Sequence, residues 1–189
     1  DTSGDAIDVD FFQHETGGTY VSSAIQTATA SVTRAADSLT ADLSKLPFDA
    51  SAGTMVVDAY NSGQTSACAF ELDDVAGNLI RVRNTNGGNR QRAVIASSVT
   101  QAAFGGPAAV LGNRDREALS WSAGDFKGAY EGGEYTPPVM TGSVPTGMTT
   151  ARFGVNSSLT DYWRAPIRSV AVFPRALSQG ECIQRAGAA

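Results

Sequence analysis

The chain of 189 residues contains only two cysteines and one histidine, and this scarcity excludes several kinds of site. Two cysteines do not make a disulfide framework; whether Cys68 and Cys182 pair with each other stays open. A zinc centre built from cysteine and histidine is excluded by the count. His14 lies near the N-terminus beside Glu15, and the chain has no Gly-x-Ser-x-Gly elbow, so the sequence does not support a hydrolytic triad.

Positive charge and long apolar runs are also scarce. The chain has 14 Lys and Arg residues against 19 Asp and Glu residues, which gives a formal net charge of −5. Nucleic-acid binding needs clustered basic side chains, so we expect no nucleic-acid partner. The nearest approach to a basic cluster is Arg81, Arg83, Arg90 and Arg92, which we interpret as the solvated face of neighbouring strands. No segment reaches the roughly 18 apolar residues of a membrane span, so we expect no membrane insertion.

The sequence has neither an initiating Met nor a secretory signal, so we expect a processed chain or a piece of a longer one. Residues 1–31 are interpreted as an N-terminal arm or linker with a possible strand, and residues 32–189 as one domain. The stretch 103–116, interrupted by Gly and Pro, is interpreted as holding one short strand, and 130–149 as a long surface loop.

What the chain does have is a regular rhythm of short β-prone segments and Gly, Asn and Asp turns, which is typical of an antiparallel sandwich. Alternation places Leu119 and Trp121 on one face and Ser120 and Ser122 on the other, so Trp121 is predicted to lie in the core. Strands are predicted at residues 36–43, 54–60, 67–72, 79–83, 90–98, 119–122, 150–155 and 167–173.

The C-terminal stretch is the most distinctive. Its apolar run at 167–173 predicts a central strand covered on both faces. Pro174 cannot donate to a β-ladder and is predicted to end that strand. Ser178 and Glu181 have the spacing of a capping box, which predicts a short helix starting there.

Residues Pro166 to Glu181 resemble the closing strand and helix of concanavalin A-like, laminin-G-like jelly-roll domains found in bacteriophage tail-fibre and receptor-binding proteins. Three more segments agree in order with such domains, and the resemblance spans roughly residues 32–186. It implies an all-β fold, a two-sheet antiparallel jelly-roll sandwich with a short C-terminal helix. The three segments are 34–58, Ala118 to Asp125 and Ala151 to Gly154.

The resemblance also implies a function. We expect a non-catalytic, lectin-like domain of a phage or phage-derived virion protein (tail fibre, head fibre or spike) that binds host surface polysaccharide. Its expected location is the virion surface or the extracellular space, and its expected partners are a bacterial surface glycan and other virion subunits, in a homo-oligomer such as a trimer. The alternatives are a purely structural decoration or fibre module and a glycoside hydrolase.

The hydrolase alternative depends on paired carboxylates. Jelly-roll glucanases carry Glu-x-Asp-x-x-Glu on one strand, with two carboxylates about 5 Å apart acting as nucleophile and acid/base. Glu71 and Asp73 match its first half, but Ala76 occupies the position of the second glutamate. We therefore interpret Glu71 and Asp73 as a strand end entering a turn, and we expect no enzyme activity.

No cofactor is predicted, although calcium is an open possibility because lectin-like jelly rolls often bind it with loop oxygens. Asp73, Asp74 and Asn78 fall in one predicted turn and Asp161 in another. The chain has no EF-hand spacing.

A glycan site needs aromatic faces that stack on sugars and planar polar groups that fix hydroxyls. Two stretches supply both, and they give our candidate ligand-binding residues. Tyr162 is expected to be exposed, whereas Trp163 could equally pack under the final strand. The candidates are Asn156, Asp161, Tyr162, Trp163 and Arg164 in the last loop, with Tyr130 and Tyr135 in the stretch before it.

Overall fold

The computed structural model describes residues 38–61, 63–85, 89–108, 110–135, 139–140 and 142–187. The predicted N-terminal arm at 1–31, with His14, lies outside this part of the chain. In the described part, no helix has the length and apolar character needed to cross a bilayer.

The described residues form two antiparallel sheets, which confirms the predicted jelly-roll sandwich. The seven-stranded sheet has the order β1-β11-β3-β4-β5-β6-β10, and the five-stranded sheet has the order β12-β2-β7-β8-β9. A single turn of 3₁₀ helix, Leu43–Lys45, follows the first strand. The elements are β1 Leu39–Asp42, β2 Ala52–Tyr60, β3 Ala67–Asp73, β4 Leu79–Asn84, β5 Asn89–Ala96, β6 Val99–Ala108, β7 Arg114–Ser122, β8 Asp125–Tyr130, β9 Gly133–Tyr135, β10 Val139–Met140, β11 Thr150–Phe153, β12 Ile167–Phe173 and α1 Gln179–Gly187.

The main core lies between the two sheets and follows the period-two alternation of the strands. Met55 on β2 pairs with Leu119 on β7, and both are buried with Phe70 of the opposite sheet. Trp121 is fully buried in the same cluster, as predicted. Gly53, its partner across the ladder, leaves room for the indole ring, since a Cβ there would lie 2.3 Å from the ring.

One end of this interior is charged, which corrects the prediction that Arg90 and Arg92 face solvent. The β4–β5 register pairs Arg92 with Val82, whose side chain points into the core, so Arg92 points inward as well and is fully buried. Inward-facing carboxylates on β7 neutralise both cations: Arg90 Nε donates to Asp115 at 2.9 Å and Arg92 Nε to Glu117 at 2.5 Å. The sequence pattern of either strand alone does not reveal this pairing, because each arginine lies 25 positions from its carboxylate partner in the chain.

The last strand is at the edge of its sheet, which corrects the prediction of a central, doubly covered strand. β12 pairs with β2 on one side, and Arg168, Ser169 and Ala171 are exposed. The strand that is covered on both faces is β2, which lies between β12 and β7 and packs on the core with one face and on a second cluster with the other. The fold does not depend on this difference, because an apolar edge strand completes the same sandwich.

The C-terminal helix forms a third layer over the outer face of the five-stranded sheet. β12 ends at Phe173 before Pro174, as predicted. The capping box is confirmed: the Ser178 N–H donates to Glu181 Oε2 at 2.8 Å, and the Glu181 N–H donates to Ser178 Oγ at 3.3 Å. Leu177, two residues before α1, and Cys182 on the helix are buried in a cluster with Val56, Ala118, Ala129 and Ala186.

The two cysteines are both buried free thiols. Cys68 lies on β3 of the seven-stranded sheet, whereas Cys182 lies on the helix packed over the other sheet. Burial raises the pKa of both thiols, that of Cys182 to about 11.

Two stretches contain more strand than predicted. The 103–116 stretch contributes to β6, a ten-residue strand that continues through Gly105 and Gly106. The 130–149 stretch contains β9 and β10 rather than one long loop. A tight turn at Glu131 and Gly132, both with positive φ, folds β9 back onto β8 and so makes the hairpin.

Candidate functional site

The last loop, residues 154–164, folds over the outer face of the seven-stranded sheet. After β11 the chain leaves the ladder at Gly154, whose N–H donates to the Ala69 carbonyl at 2.9 Å. It returns beside β3, where Tyr162 forms a parallel bridge with Cys68. The Trp163 N–H donates to the Gly154 carbonyl at 2.8 Å and closes the loop. Five of the predicted ligand-binding residues are therefore brought together.

Asn156 organises the loop from within. Its side chain is buried, and its Oδ1 accepts from the Thr160 N–H at 2.9 Å and the Asp161 N–H at 3.2 Å. Its Nδ2 donates to Thr160 Oγ1 at 3.0 Å and to Asp161 Oδ2 at 3.1 Å. With its amide used in this way, Asn156 shapes the loop from within.

The remaining candidates of the loop are more accessible. Tyr162 and Trp163 are half-buried and Arg164 is exposed. Trp163 packs against the core, yet its Nε1 has no hydrogen-bond partner among the described residues. The Gln64 amide donates to the Tyr162 carbonyl at 2.6 Å and accepts from Arg164 Nε at 3.2 Å, which ties the end of the loop to the segment before β3.

Glu71 fixes the loop to the sheet. It is fully buried on the outer face of β3, and its Oε1 accepts from the Ser157 N–H at 2.7 Å. The nearest cation is Arg81, opposite it on β4, with Nη1 3.7 Å from Oε2. Burial raises the pKa of Glu71, against the opposing effect of the Ser157 hydrogen bonds. Glu71 is thus a buried anchor within the strand, which corrects its interpretation as a turn residue.

Asp73 does mark the end of β3, as predicted. Its Oδ1 accepts from the Val75 N–H at 3.0 Å, and its Oδ2 accepts from Arg152 Nε at 2.7 Å. Ala76 lies exposed in the following turn. The paired carboxylates of a retaining glycosidase are therefore not assembled from this motif.

The turn considered for calcium uses its oxygens internally. Asp74 Oδ1 accepts from the N–H groups of Ala76 and Asn78, and its Oδ2 accepts from Asn78 Nδ2 at 2.6 Å. Within the described ranges, no group of three or more His, Cys, Asp or Glu side chains is placed to hold a metal ion.

Tyr130 and Tyr135 occupy different surroundings from the loop. Their rings stack near the buried arginines, with Arg90 4.3 Å from the Tyr130 centroid and Arg92 4.8 Å from that of Tyr135. The Tyr130 hydroxyl donates to Asp115 at 3.0 Å, and burial raises the pKa of both phenols. These tyrosines pack against the charged end of the core, whereas the loop lies on the outer face.

Sequence reasoning missed the contribution of β4 to the site. Arg81 and Arg83 point outward as the alternation predicted, but they are partly buried beside the loop, with side chains 15% and 23% exposed. Arg83 Nε donates to Gln91 Oε1 at 2.8 Å, and its Nη1 is 3.9 Å from Asp161. The alternation of residues 79–83 predicted that Arg81 and Arg83 point outward. It could not show that the loop 154–164 folds next to them.

No protein-family model and no curated protein matches the sequence. Solved structures do match, at a level that shows the fold. The CBM40 domain of the Ruminococcus gnavus IT-sialidase, bound to α2,3-sialyllactose, aligns with a TM-score of 0.60 and 19% identity over 77% of this chain and 91% of that one.

Two animal proteins extend the comparison. The SAP-like pentraxin of Limulus polyphemus gives a TM-score of 0.56 at 13% identity, over 72% of this chain and 70% of that one. Domains LG4-5 of the mouse laminin α1 chain give 0.54 at 8% identity, over 70% of this chain and 42% of that one. The fold of this chain is thus a concanavalin A-like jelly roll.

Proposed function

We propose that this chain is a non-catalytic, lectin-like domain that binds a glycan on the outer face of the seven-stranded sheet, beside the loop 154–164. One observation carries the proposal: Asn156 and Glu71 fix a loop that leaves Tyr162 half-buried and Arg164 exposed, and that brings Asp161 to 3.9 Å from Arg83 in the polar row of β4. A jelly roll of similar fold, the CBM40 domain, was solved with sialyllactose bound.

The chemistry of this face suits a sugar. Half-buried aromatic rings offer an apolar surface to the C–H face of a pyranose at a small cost in side-chain entropy. Guanidinium and amide groups, here those of Arg81, Arg83 and Gln91, are planar and can hydrogen-bond adjacent hydroxyls. Because Asn156 and Ser157 already hold the loop in place, little ordering entropy is lost when a ligand binds.

Binding rather than hydrolysis is favoured by the state of the carboxylates. Glu71 is fully buried and bonded to Ser157, and Asp73 is paired with Arg152. A glycosidase needs two carboxyl groups facing the same bond of the substrate. Neither side chain is free to face a substrate, so we propose that the domain is not an enzyme.

The biological setting proposed is the surface of a phage or phage-derived particle, where the domain would attach to host polysaccharide as part of a tail fibre, head fibre or spike. The support is the order of the four sequence segments that resemble such proteins. In this setting the chain assembles with other virion subunits, as a homo-oligomer such as a trimer.

The binding proposal is tested on an array of bacterial surface glycans. We expect the 189-residue chain to bind a subset of the array, and Tyr162→Ala and Arg164→Ala to weaken binding. Arg168→Ala is the matched control for Arg164→Ala, since both arginines are exposed and Arg168 lies on the other sheet. No binding to any glycan, with or without calcium, would contradict the proposal.

The particle setting needs a separate test. Mass spectrometry of purified particles from the source should detect the chain, and antibodies against it should reduce particle adsorption to host cells. Particles that contain the chain but adsorb normally when it is blocked would instead support a structural module.

A further inference from the structure

Four of the buried or partly buried arginines have a close carboxylate partner. Arg90, Arg92, Arg114 and Arg152 each place a nitrogen within 2.9 Å of a carboxylate oxygen. In a chain with an excess of carboxylates, such pairing is expected, because a buried cation without a close anion is costly.

Arg81 and Arg83 do not follow this pattern. Their shortest distances to a carboxylate among the described residues are 3.7 Å, to Glu71, and 3.9 Å, to Asp161, both longer than a hydrogen bond. Arg81 Nε is buried without a hydrogen-bond partner in the described part of the chain. Two guanidinium groups thus lie two positions apart on one face of β4, each with its nearest carboxylate beyond hydrogen-bond distance.

The two neighbouring acids make their hydrogen bonds to other groups. Glu71 already gives Oε1 to the Ser157 N–H, and its burial favours the neutral acid. Asp161 Oδ1 accepts from Ser66 Oγ at 2.9 Å, and its Oδ2 from Asn156 Nδ2 at 3.1 Å. Burial, and secondly the charge of Arg81, lowers the pKa of Arg83, so an added anion here would be stabilising.

We propose that Arg81, assisted by Arg83, binds the negatively charged group of an acidic sugar, so that the glycan recognised by this face carries a carboxylate or a sulfate. This inference rests on the proposed glycan-binding function. Guanidinium groups bind both kinds of oxyanion through paired N–H donors, and these charge-assisted bonds are stronger than bonds to hydroxyls. The net charge of −5 favours isolated acidic groups over a dense polyanion.

The test uses the full chain on a glycan array that contains acidic bacterial glycans and their neutral forms, with carboxylates reduced to alcohols and sulfates removed. We expect binding to an acidic glycan, with affinity about ten- to a hundredfold lower for its neutral form, as for loss of a hydrogen bond to a charged group. Whether the best ligand carries a carboxylate or a sulfate identifies the source of the charge.

Variants then test whether the arginines of β4 are the residues that recognise the acidic group. Arg81→Gln should remove the preference for the acidic form while retaining the weaker binding to the neutral form, and Arg168→Gln, with the same charge change on another strand, should keep the preference. If Arg81→Gln unfolds, Arg83→Gln provides the second test: removing the assisting charge should reduce the preference for the acidic form, and an unchanged preference would overturn the inference.

The two proposals fail in different ways. If no glycan binds, the proposed function is contradicted. If glycans bind but neutral and acidic forms bind equally, or Arg81→Gln behaves like Arg168→Gln, the domain remains a lectin and the acidic-sugar inference is overturned.

Discussion

Gly53 lies directly against the indole of Trp121, and this contact fixes how the largest core side chain sits between the sheets. We predict that Gly53→Ala lowers the free energy of unfolding by about 1–3 kcal/mol, because the new methyl group would force the ring or the strand to shift. Urea denaturation measures the change. The control is Gly105→Ala, whose added methyl would meet nothing within 4 Å. Equal effects of the two substitutions would contradict this explanation.

Arg92 and Glu117 form a buried ion pair, and replacing Arg92 alone would leave the Glu117 carboxylate buried without its partner. We predict that Arg92→Met lowers the free energy of unfolding by about 3–5 kcal/mol, since Glu117 would keep its desolvation cost without its main partner. The double variant Arg92→Met/Glu117→Met should recover most of that loss in the same denaturation experiment. A double variant as unstable as the single one would show that packing, and not charge, is decisive.

Glu71 should make stability depend on pH. Burial raises its folded pKa above the unfolded value of 4.5, so the native state holds the proton more tightly. Its contribution to stability is therefore complete below the unfolded pKa and is lost as pH rises through the folded pKa. Compared with Glu71→Gln, the wild type should gain unfolding free energy as pH falls from about 7.5 to about 5. The opposite trend would mean that the Ser157 bonds outweigh burial.

At the scale of elements, the capping box is the clearest local device. We predict that Ser178→Ala costs about 1 kcal/mol of unfolding free energy, because the Glu181 N–H loses its acceptor. Gln184→Ala, exposed on the same helix, should change little. If Ser178→Ala also changes little, the tertiary contacts of Leu177 and Cys182 suffice to start the helix.

Glu181 of the capping box should make stability depend on pH in the direction opposite to that of Glu71. Arg175 and then Ser178 lower the pKa of Glu181 to about 2. Its stabilising contribution is present above the unfolded pKa and is lost as pH falls through about 2. An NMR titration of the Glu181 carboxyl group should give a midpoint well below that of an unpaired glutamate; an ordinary midpoint would contradict the pairing.

These elements also show what a sequence can predict. The capping box, the stop at Pro174 and the inward direction of Trp121 depend on neighbours within a few positions, so the local pattern was sufficient. The edge position of β12 was not predictable in this way, since an apolar run has the same pattern at the centre and at the edge of a sheet. Arg90 and Arg92 were misread for a related reason: their partners lie on a strand of the other sheet, and only the register reveals them.

At the scale of the molecule, the outer faces of the two sheets differ in the described part of the chain. α1 covers the outer face of the five-stranded sheet, whereas the outer face of the seven-stranded sheet carries the loop 154–164 and the β4 arginines. The sequence predicted the loop as the site but not the strand beneath it. Tyr130 and Tyr135 were predicted as part of the same site. Their rings pack against the buried cations Arg90 and Arg92, so their position is explained by packing at the charged end of the core.

The central claim, that a glycan binds this face, is tested most directly by NMR. The backbone amide spectrum of the isotopically labelled chain is recorded during titration with the best glycan from the array. We predict that the largest shifts cluster at residues 156–164 and at Arg81, Arg83 and Gln91. Shifts centred instead on α1, or on Tyr130 and Tyr135, would contradict it.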